Sequence, residues 1–327
     1  MDWSPLKHLV ETHRNWILLS HAKPDGDAIG SLLGLAAAIR STGAMATPIL
    51  EGGLPSRYRF MDPNGWLVLR DNVSQDLWTN ADALAVVDTG TWNQLGHWAE
   101  KVRAFPRFKM VIDHHFTQDA IASVNFITTD PEANCRLIYE AGRSLGFVPD
   151  ALAAQALYIG LATDTGWFRH GNTKPESFGL AFELVNLGAN PTLIYREIYE
   201  RSSLGKLRLS GRLLSRVSPH LNGQVVGSEI LFGDWADIGA IPEDAEDLID
   251  LVRVLEGTRV GFVLVERNPG ETRGSLRGRD GFDVAALAQT FGGGGHKAAA
   301  GFSFHGSAQE AKGLLLERLR ERLAPNT

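Results

Sequence analysis

Three short runs, Ile17-Leu18-Leu19, Leu84-Ala85-Val86-Val87 and Phe108 to Ile112, are almost wholly apolar, and each stops at or just before a histidine or an aspartate. Apolar runs of this length, bounded by polar residues, read as strands covered on both faces. Helical patterns follow them: Ile29 to Ile39 after the first run, then Asn134 to Leu145, Ala151 to Thr163 and Pro175 to Leu187. Strands alternating with helices predict an α/β fold with a mainly parallel sheet. In such sheets ligands bind beyond the carboxyl ends of the strands. His21, Asp88 and Asp113 fall at or just past those ends.

At 327 residues the chain exceeds what one core usually serves. Asn190-Pro191 marks a break, and the following stretch to Val217 reads as a helical connector rich in Arg and Ser. Beyond it the rhythm changes, with strands at Val225-Val226, Val260 to Val265 and near Ser275. A helix from Asp283 to Thr290 and a last amphipathic helix, Ala308 to Leu323, complete the pattern. The expected organisation is therefore a first domain at 1–190, a helical linker at 191–217 and a smaller α/β domain at 218–327.

A net charge of −6 argues against a protein that coats long nucleic acid, because such proteins neutralise many phosphates with Lys and Arg. Cys135 is the one cysteine, which excludes a disulfide framework and a cysteine metal cluster. Met1 to Val10 lacks the apolar core of a signal peptide, and no apolar run approaches the roughly 18–20 residues of a membrane span. A soluble cytoplasmic protein is expected.

Four segments carry candidate chemistry. His21-Ala-Lys-Pro-Asp25-Gly-Asp27 leaves the first strand and enters a helix. Two carboxylates and an imidazole packed so closely repel unless a cation joins them, and a hard divalent ion with mixed oxygen and nitrogen ligands would do so. The plainer reading is an acidic turn with Asp27 capping the helix. Asp88-Thr-Gly90 and Asp113-His114-His115 close the next two strands. An aspartate at a strand end often only caps a helix, but two adjacent histidines after a buried strand suit a ligand and its orienting carboxylate. Thr163-Asp164-Thr165-Gly166 follows a helix of small residues and leads to Arg169, which could clamp a phosphate. Together His21, Asp25, Asp27, Asp88, His114 and Asp164 suffice for two metals bridged by one carboxylate, a pairing suited to in-line phosphoryl displacement.

A fifth segment, Phe291-Gly292-Gly293-Gly294-Gly295-His296-Lys297, exposes consecutive backbone N–H groups of the kind that cradle phosphates. Its plainer reading is a flexible hairpin loop. Arg273, Arg277 and Arg279 lie upstream and could add charge to the same pocket.

The blocks His21-x-x-Pro-Asp25-x-Asp27, Val-Asp88-Thr-Gly, Asp113-His114-His115 and Thr-Asp164-Thr-Gly resemble the signature motifs of the DHH phosphoesterases. Gly292 to His296 with Lys-Ala-Ala resembles the substrate motif of the DHH-associated domain, so the likeness covers nearly the whole chain in order. Length and layout are most similar to the bacterial nanoRNase and pAp-phosphatase group, which degrades very short oligoribonucleotides and dephosphorylates 3′-phosphoadenosine 5′-phosphate (pAp).

The resemblance implies that His21, Asp25 and Asp88 hold one metal and that Asp27, Asp88, His114 and Asp164 hold a second, with Asp88 bridging. It implies manganese for both. His115 would face the scissile phosphate, stabilising it or protonating the leaving oxygen, with Asp113 beside it. Arg277 and the loop Gly293, Gly294, Gly295 and His296 would hold the far end of a short single-stranded oligonucleotide or pAp in a cleft that measures length. Dimers are common in the family, although no interface pattern in the sequence marks one.

The segment Glu132-Ala133-Asn134-Cys135-Arg136 departs from a run of small hydroxyl residues common in the family, and it is expected to touch substrate. A phosphodiesterase for cyclic or linear dinucleotides would share the site and differ in its pocket. A RecJ-type single-strand exonuclease lacks room here for an extra nucleic-acid domain. The glycine-rich segment points away from a type II inorganic pyrophosphatase. A nucleotide sensor without turnover is the reading from another class, and the intact ligand set argues against it.

Overall fold

The apolar runs of the first half assemble into one six-stranded sheet. The computed structural model describes residues 1–323 and every side chain there except that of His296. The strands are β1 (Asn15–Leu19), β2 (Met45–Leu50), β3 (Val68–Leu69), β4 (Ala83–Val87), β5 (Phe108–Asp113) and β6 (Val124–Ile127). Their order is β3-β2-β1-β4-β5-β6, and every neighbouring pair is parallel. The order reverses between β1 and β4, the topological position where such sheets open a crevice at their carboxyl edge.

Helices α1 (Ser4–Thr12), α2 (Gly26–Ser41), α5 (Asn134–Ser144), α6 (Ala151–Asp164), α7 (Pro175–Asn186) and α8 (Pro191–Tyr199) cover one face, and α3 (Gln75–Asn80) and α4 (Trp98–Ala104) cover the other. Side chains alternate accordingly. Trp16, Leu18, Val87 and Ile112 enter the first core, while Ile17, Leu19, Val86 and Val111 pack with Trp78 and Trp98. Each fully buried side chain of this size contributes about 1.5–3 kcal/mol, and this double coverage is why the runs carry no polar alternation.

The chain divides into two compact units, Met1–Arg201 and Ser202–Thr327. The stretch 191–217 contributes a helix to each, because Ser203 Oγ accepts from the Lys206 N–H and starts a new helix, α9 (Leu204–Ser215). Ile194 of α8 sits in the first core, and Leu209 and Leu213 of α9 sit in a core of the second unit.

The second unit has its own six-stranded sheet, formed by β7 (Ser218–His220), β8 (Val225–Ile230), β9 (Val260–Asn268), β10 (Glu271–Gly278), β11 (Gly294–His296) and β12 (Ala299–His305). The order is β11-β12-β10-β9-β8-β7; only β8 and β9 are parallel neighbours. Helices α12 (Val284–Gln289) and α13 (Ala308–Leu323) cover one face. On the other lie α9, α10 (Phe232–Ile238) and α11 (Ile249–Val252). Among the described residues no helix is long and apolar enough to cross a membrane.

Candidate metal centre

Four elements of the first unit deliver acids and imidazoles to the carboxyl edge of its sheet. His21 follows β1, Asp88 follows β4, Asp113 ends β5 with His114 and His115 behind it, and Asp25 and Asp27 stand at the start of α2. Asp164 arrives separately as the last residue of α6, where a carboxylate opposes the negative end of the helix dipole. A position so unfavourable for folding suits a residue meant to meet a cation.

The capping role falls to Asp25. Its Oδ1 accepts from the N–H groups of Asp27 and Ala28, both at 3.0 Å, so the expected cap at Asp27 moves back two residues. That frees the Asp27 side chain, which is fully buried, to turn inward.

The six candidate ligands fall into two groups around Asp88. His21, Asp25 and Asp88 bring one ligand atom each within 4.8 Å of one another, and so do Asp27, His114 and Asp164. His21 Nε2 lies 3.6 Å from Asp88 Oδ2, and His114 Nε2 lies 3.5 Å from Asp88 Oδ1. Asp88 therefore stands between the groups, one oxygen towards each. Its Oδ1 is buried with no hydrogen-bond partner among the described residues, a cost for any carboxylate that no cation meets. Its backbone is left-handed, φ +57°, which an aspartate tolerates at a cost of about 1 kcal/mol and which sharply bends the chain after β4.

The electrostatics are those of crowded acids. Burial, with repulsion from Asp88, raises Asp25 and Asp27 above the ordinary carboxylate range. Burial raises Asp164 to about 6, with partial relief from His114 and further repulsion from Asp88. Burial alone would lower His114, but Asp88, Asp27 and Asp164 together lift it to about 10. His21 rises as well: burial pulls it down, and Asp88 together with Asp25 and Asp113 overcomes that. Asp88 itself is lowered: burial works against its charge, and the flanking His114 and His21 overcome that. Two buried carboxylates, Asp27 and Asp88, with Asp164 half-buried and Asp25 more exposed beside them, thus lean on two histidines for counter-charge. The oxygen and nitrogen donor set, with an orphaned buried oxygen at its centre, fits a pair of divalent cations.

Asp113 plays a different part. It is fully buried, its Oδ1 accepts from the His114 N–H at 2.9 Å and from His115 Nδ1 at 2.8 Å, and its Oδ2 accepts from Gln118 Nε2 at 2.6 Å. So Asp113 orients the site from behind rather than facing it. His115 rises above its ordinary value chiefly through that Asp113 bond, and with Nδ1 engaged its Nε2 is the nitrogen left for other work. Sequence reasoning missed Gln118, which also donates to the His115 carbonyl at 2.9 Å. Its only local sign is Gly90: a Cβ there would meet the Gln118 carboxamide at 1.7 Å.

The expectation that residues 132–136 touch substrate does not hold for its central members. Asn134 and Cys135 are fully buried, and their N–H groups, the first of α5, donate to Asp27 at 2.6 and 2.8 Å. Glu132 is also buried and is bound by Arg136 through two hydrogen bonds at 2.8 and 2.6 Å. The segment faces inward because α5 begins against the start of α2.

Arg169 is exposed beyond a left-handed turn in which Gly166, Trp167 and Phe168 have φ of +55°, +58° and +62°. Its Nε donates to the Gly166 carbonyl at 2.7 Å.

The remaining expected substrate residues belong to the second unit. Arg277 lies on β10, half-buried, its Nε 3.7 Å from Asp250 Oδ1. The glycine run is no loose loop: Gly294, Gly295 and His296 form edge strand β11, paired antiparallel with β12. A Cβ on Gly293 would meet the Gly301 carbonyl at 2.2 Å, and one on Gly295 would meet the Ala299 carbonyl at 2.5 Å. Close backbone packing therefore explains two of the glycines, while Gly294 faces open space. The side chain of His296 lies outside the described residues.

Residues 15–161 match the profile described as DHH family, N-terminal domain, and residues 222–324 match the DHHA1 domain. The chain is 30% identical over 312 residues to the bifunctional oligoribonuclease and PAP phosphatase NrnA of Thermus thermophilus, covering 94% of this chain and 89% of that protein. To the protein of the same name from Bacillus subtilis it is 27% identical over 308 residues, covering 92% of each. Among solved structures, an exopolyphosphatase-related protein from Bacteroides fragilis superposes with a TM-score of 0.91 at 25% identity, covering 98% of this chain and 97% of that one. Exonuclease RecJ bound to manganese shares the fold at a TM-score of 0.53 and 17% identity, covering 99% and 95%.

Proposed function

This chain belongs to the DHH family, and on that premise we propose that it is a manganese-dependent, two-metal phosphoesterase that degrades very short oligonucleotides to mononucleotides and dephosphorylates pAp. The observation that carries the reading is Asp88: a buried carboxylate with an unpartnered oxygen, flanked by two separate sets of acids and imidazoles. The relatives named above, matched over most of their length, supply the substrate class.

His21, Asp25 and Asp88 would hold one cation, and Asp27, Asp88, His114 and Asp164 the other. Bound there, the pair would supply an activated water and offset the charge that gathers on the phosphoryl oxygens. The protein's own groups do the rest. Asp113, itself held by Gln118, fixes the His115 ring through Nδ1, so its other nitrogen can deliver a proton to the leaving oxygen. Asp27 and Asp88, sealed from water, keep their positions while charge develops, so little reorganisation is needed. Arg169 would meet a phosphate from the first unit. In the second unit, Arg277 and the backbone of residues 293–296 would grip the rest of a short substrate.

The test is turnover by the purified protein with Mn2+, comparing pAp, a ribodinucleotide, a ribo-octamer, a long single-stranded DNA and a cyclic dinucleotide. Fast hydrolysis of pAp and the dinucleotide, with little from the long DNA, is expected. Preference for the long DNA or the cyclic dinucleotide would overturn the substrate assignment and leave the two-metal site standing.

A further inference from the structure

The segment that departs from the family pattern, residues 132–136, is buried at its centre, and its central residue touches two of the candidate ligands at once. Asn134 is the first residue of α5 and is fully buried. Its backbone N–H donates to Asp27 Oδ2 at 2.6 Å, next to the Cys135 N–H on Asp27 Oδ1 at 2.8 Å. Two orphan donors of a helix start are thus met by a carboxylate from another helix, which fixes both oxygens of Asp27 in place.

The side chain of Asn134 reaches the other ligand. In the amide orientation that satisfies its neighbours, Nδ2 donates to the Ile112 carbonyl at 3.2 Å. Its oxygen accepts from Ser31 Oγ at 2.9 Å and from the Asp88 N–H at 3.2 Å. One amide therefore ties together α2, the end of β5 and the residue where β4 bends. That residue needs tying, since Asp88 holds a left-handed backbone that sets where its carboxylate points. The Asp88 N–H also meets the Ile112 carbonyl at 3.1 Å, so Asn134 closes a small ring of bonds around the bend.

We propose that Asn134 is a positioning residue of this metal centre: its main chain holds Asp27 and its side-chain amide holds the bend at Asp88, so that both carboxylates are set before any cation arrives. A hydrophobic residue of similar size would fill the space and leave the bend and the Ser31 hydroxyl unheld. The inference rests on the two-metal reading given above.

The experiment is Mn2+ titration of the full chain, followed by calorimetry and by electron paramagnetic resonance of the free ion, with the melting temperature recorded for each variant. Asn134→Ala is compared with Leu137→Ala, a fully buried apolar residue on the same helix. Loss of an orienting partner behind a ligand weakens metal binding by roughly 10–100-fold. We expect Asn134→Ala to fall in that range, and its turnover to recover to within a few-fold of wild type at saturating Mn2+. Leu137→Ala should lose at least as much in melting temperature while keeping wild-type affinity.

Equal affinities in Asn134→Ala and Leu137→Ala would overturn the proposal, because Asn134 would then be only a core residue. Should Asn134→Ala not fold, Ser31→Ala decides, since it removes only the hydroxyl that orients the amide. A severalfold weaker Mn2+ affinity is then expected, and no change overturns the proposal. Wild-type protein that binds no Mn2+ would instead sink the two-metal reading itself, an outcome distinct from both.

Discussion

The two sheets of this protein use their ends and edges differently. In the first, all neighbours are parallel and both faces are covered, and the residues that follow the strands gather at one edge of the sheet. Charge collects there under burial, and the acids shift each other and their histidines away from ordinary values. In the second, most neighbours are antiparallel, and the glycine run lies along an edge as backbone rather than as charge. One sheet offers desolvated side chains suited to cations; the other offers main chain and a half-buried arginine, the groups proposed above to hold substrate. Damage to the first should therefore abolish chemistry, and damage to the second should mainly weaken substrate capture.

The sharpest way to break that division is His114→Ala. Removing this proposed ligand between Asp88 and Asp164 should forfeit several kcal/mol of transition-state stabilisation, a loss in turnover of roughly a thousandfold or more, with the fold retained in the presence of Mn2+. Turnover and metal content of the purified variant check this, and near-normal activity with Mn2+ would undo the metal assignment.

The next effect concerns pH. Metal-free, His114 sits at about 10 rather than 6.5, so its protonation stabilises the fold below 6.5, and that contribution is lost as pH rises through about 10. Asp164 sits at about 6 rather than 3.8, so its contribution is present below 3.8 and lost as pH rises through about 6. Both signs make the metal-free centre less comfortable at higher pH. A cation that replaces these protons should therefore bind more tightly as pH rises, with about a tenfold gain per unit for each proton displaced and a steeper slope below pH 6. Melting temperatures with Mn2+ and with chelator between pH 5 and 8 read this directly. A metal-induced gain that shrinks with pH would contradict the electrostatic picture of the first sheet.

The smallest expected effect belongs to the second sheet. Arg277→Ala should raise KM for pAp severalfold, as loss of one partly solvated charge contact would, while leaving Mn2+ content and kcat nearly intact. Steady-state kinetics together with metal analysis separate the two. If the variant loses metal instead, the contrast between the units dissolves.

Much of the first unit was open to reading because its signals are local. A run such as Leu84 to Val87, short and bounded by polar residues, reads as a strand covered on both sides, which places Asp88 directly after it at a strand end. Helices α5 and α7 announce themselves by amphipathic spacing over ten or more residues, and α6 and α13 by length and a run of strong helix formers. Short or half-polar elements did not: α1, α3, β2 and β6 are held by partners distant in sequence, and so are the edge strands of the second unit. The stretch 191–217 read as one connector because helical residues continue across it, and only the Ser203 cap and two separate cores divide it.

The same line runs through the candidate site. The sequence by itself determined which residue types stand at the strand ends, since backbone alternation and turn chemistry are written within a few neighbours. Only the tertiary structure decided what each of them does. Asp25 rather than Asp27 caps α2, Asp113 turns away to hold His115, and Gln118 appears behind it. Asn134 and Cys135 close on Asp27 from more than a hundred residues away in sequence. Such roles depend on which donor meets which lone pair at about 3 Å in a dry interior. No local pattern encodes that meeting; it follows from helices and strands packed into one place.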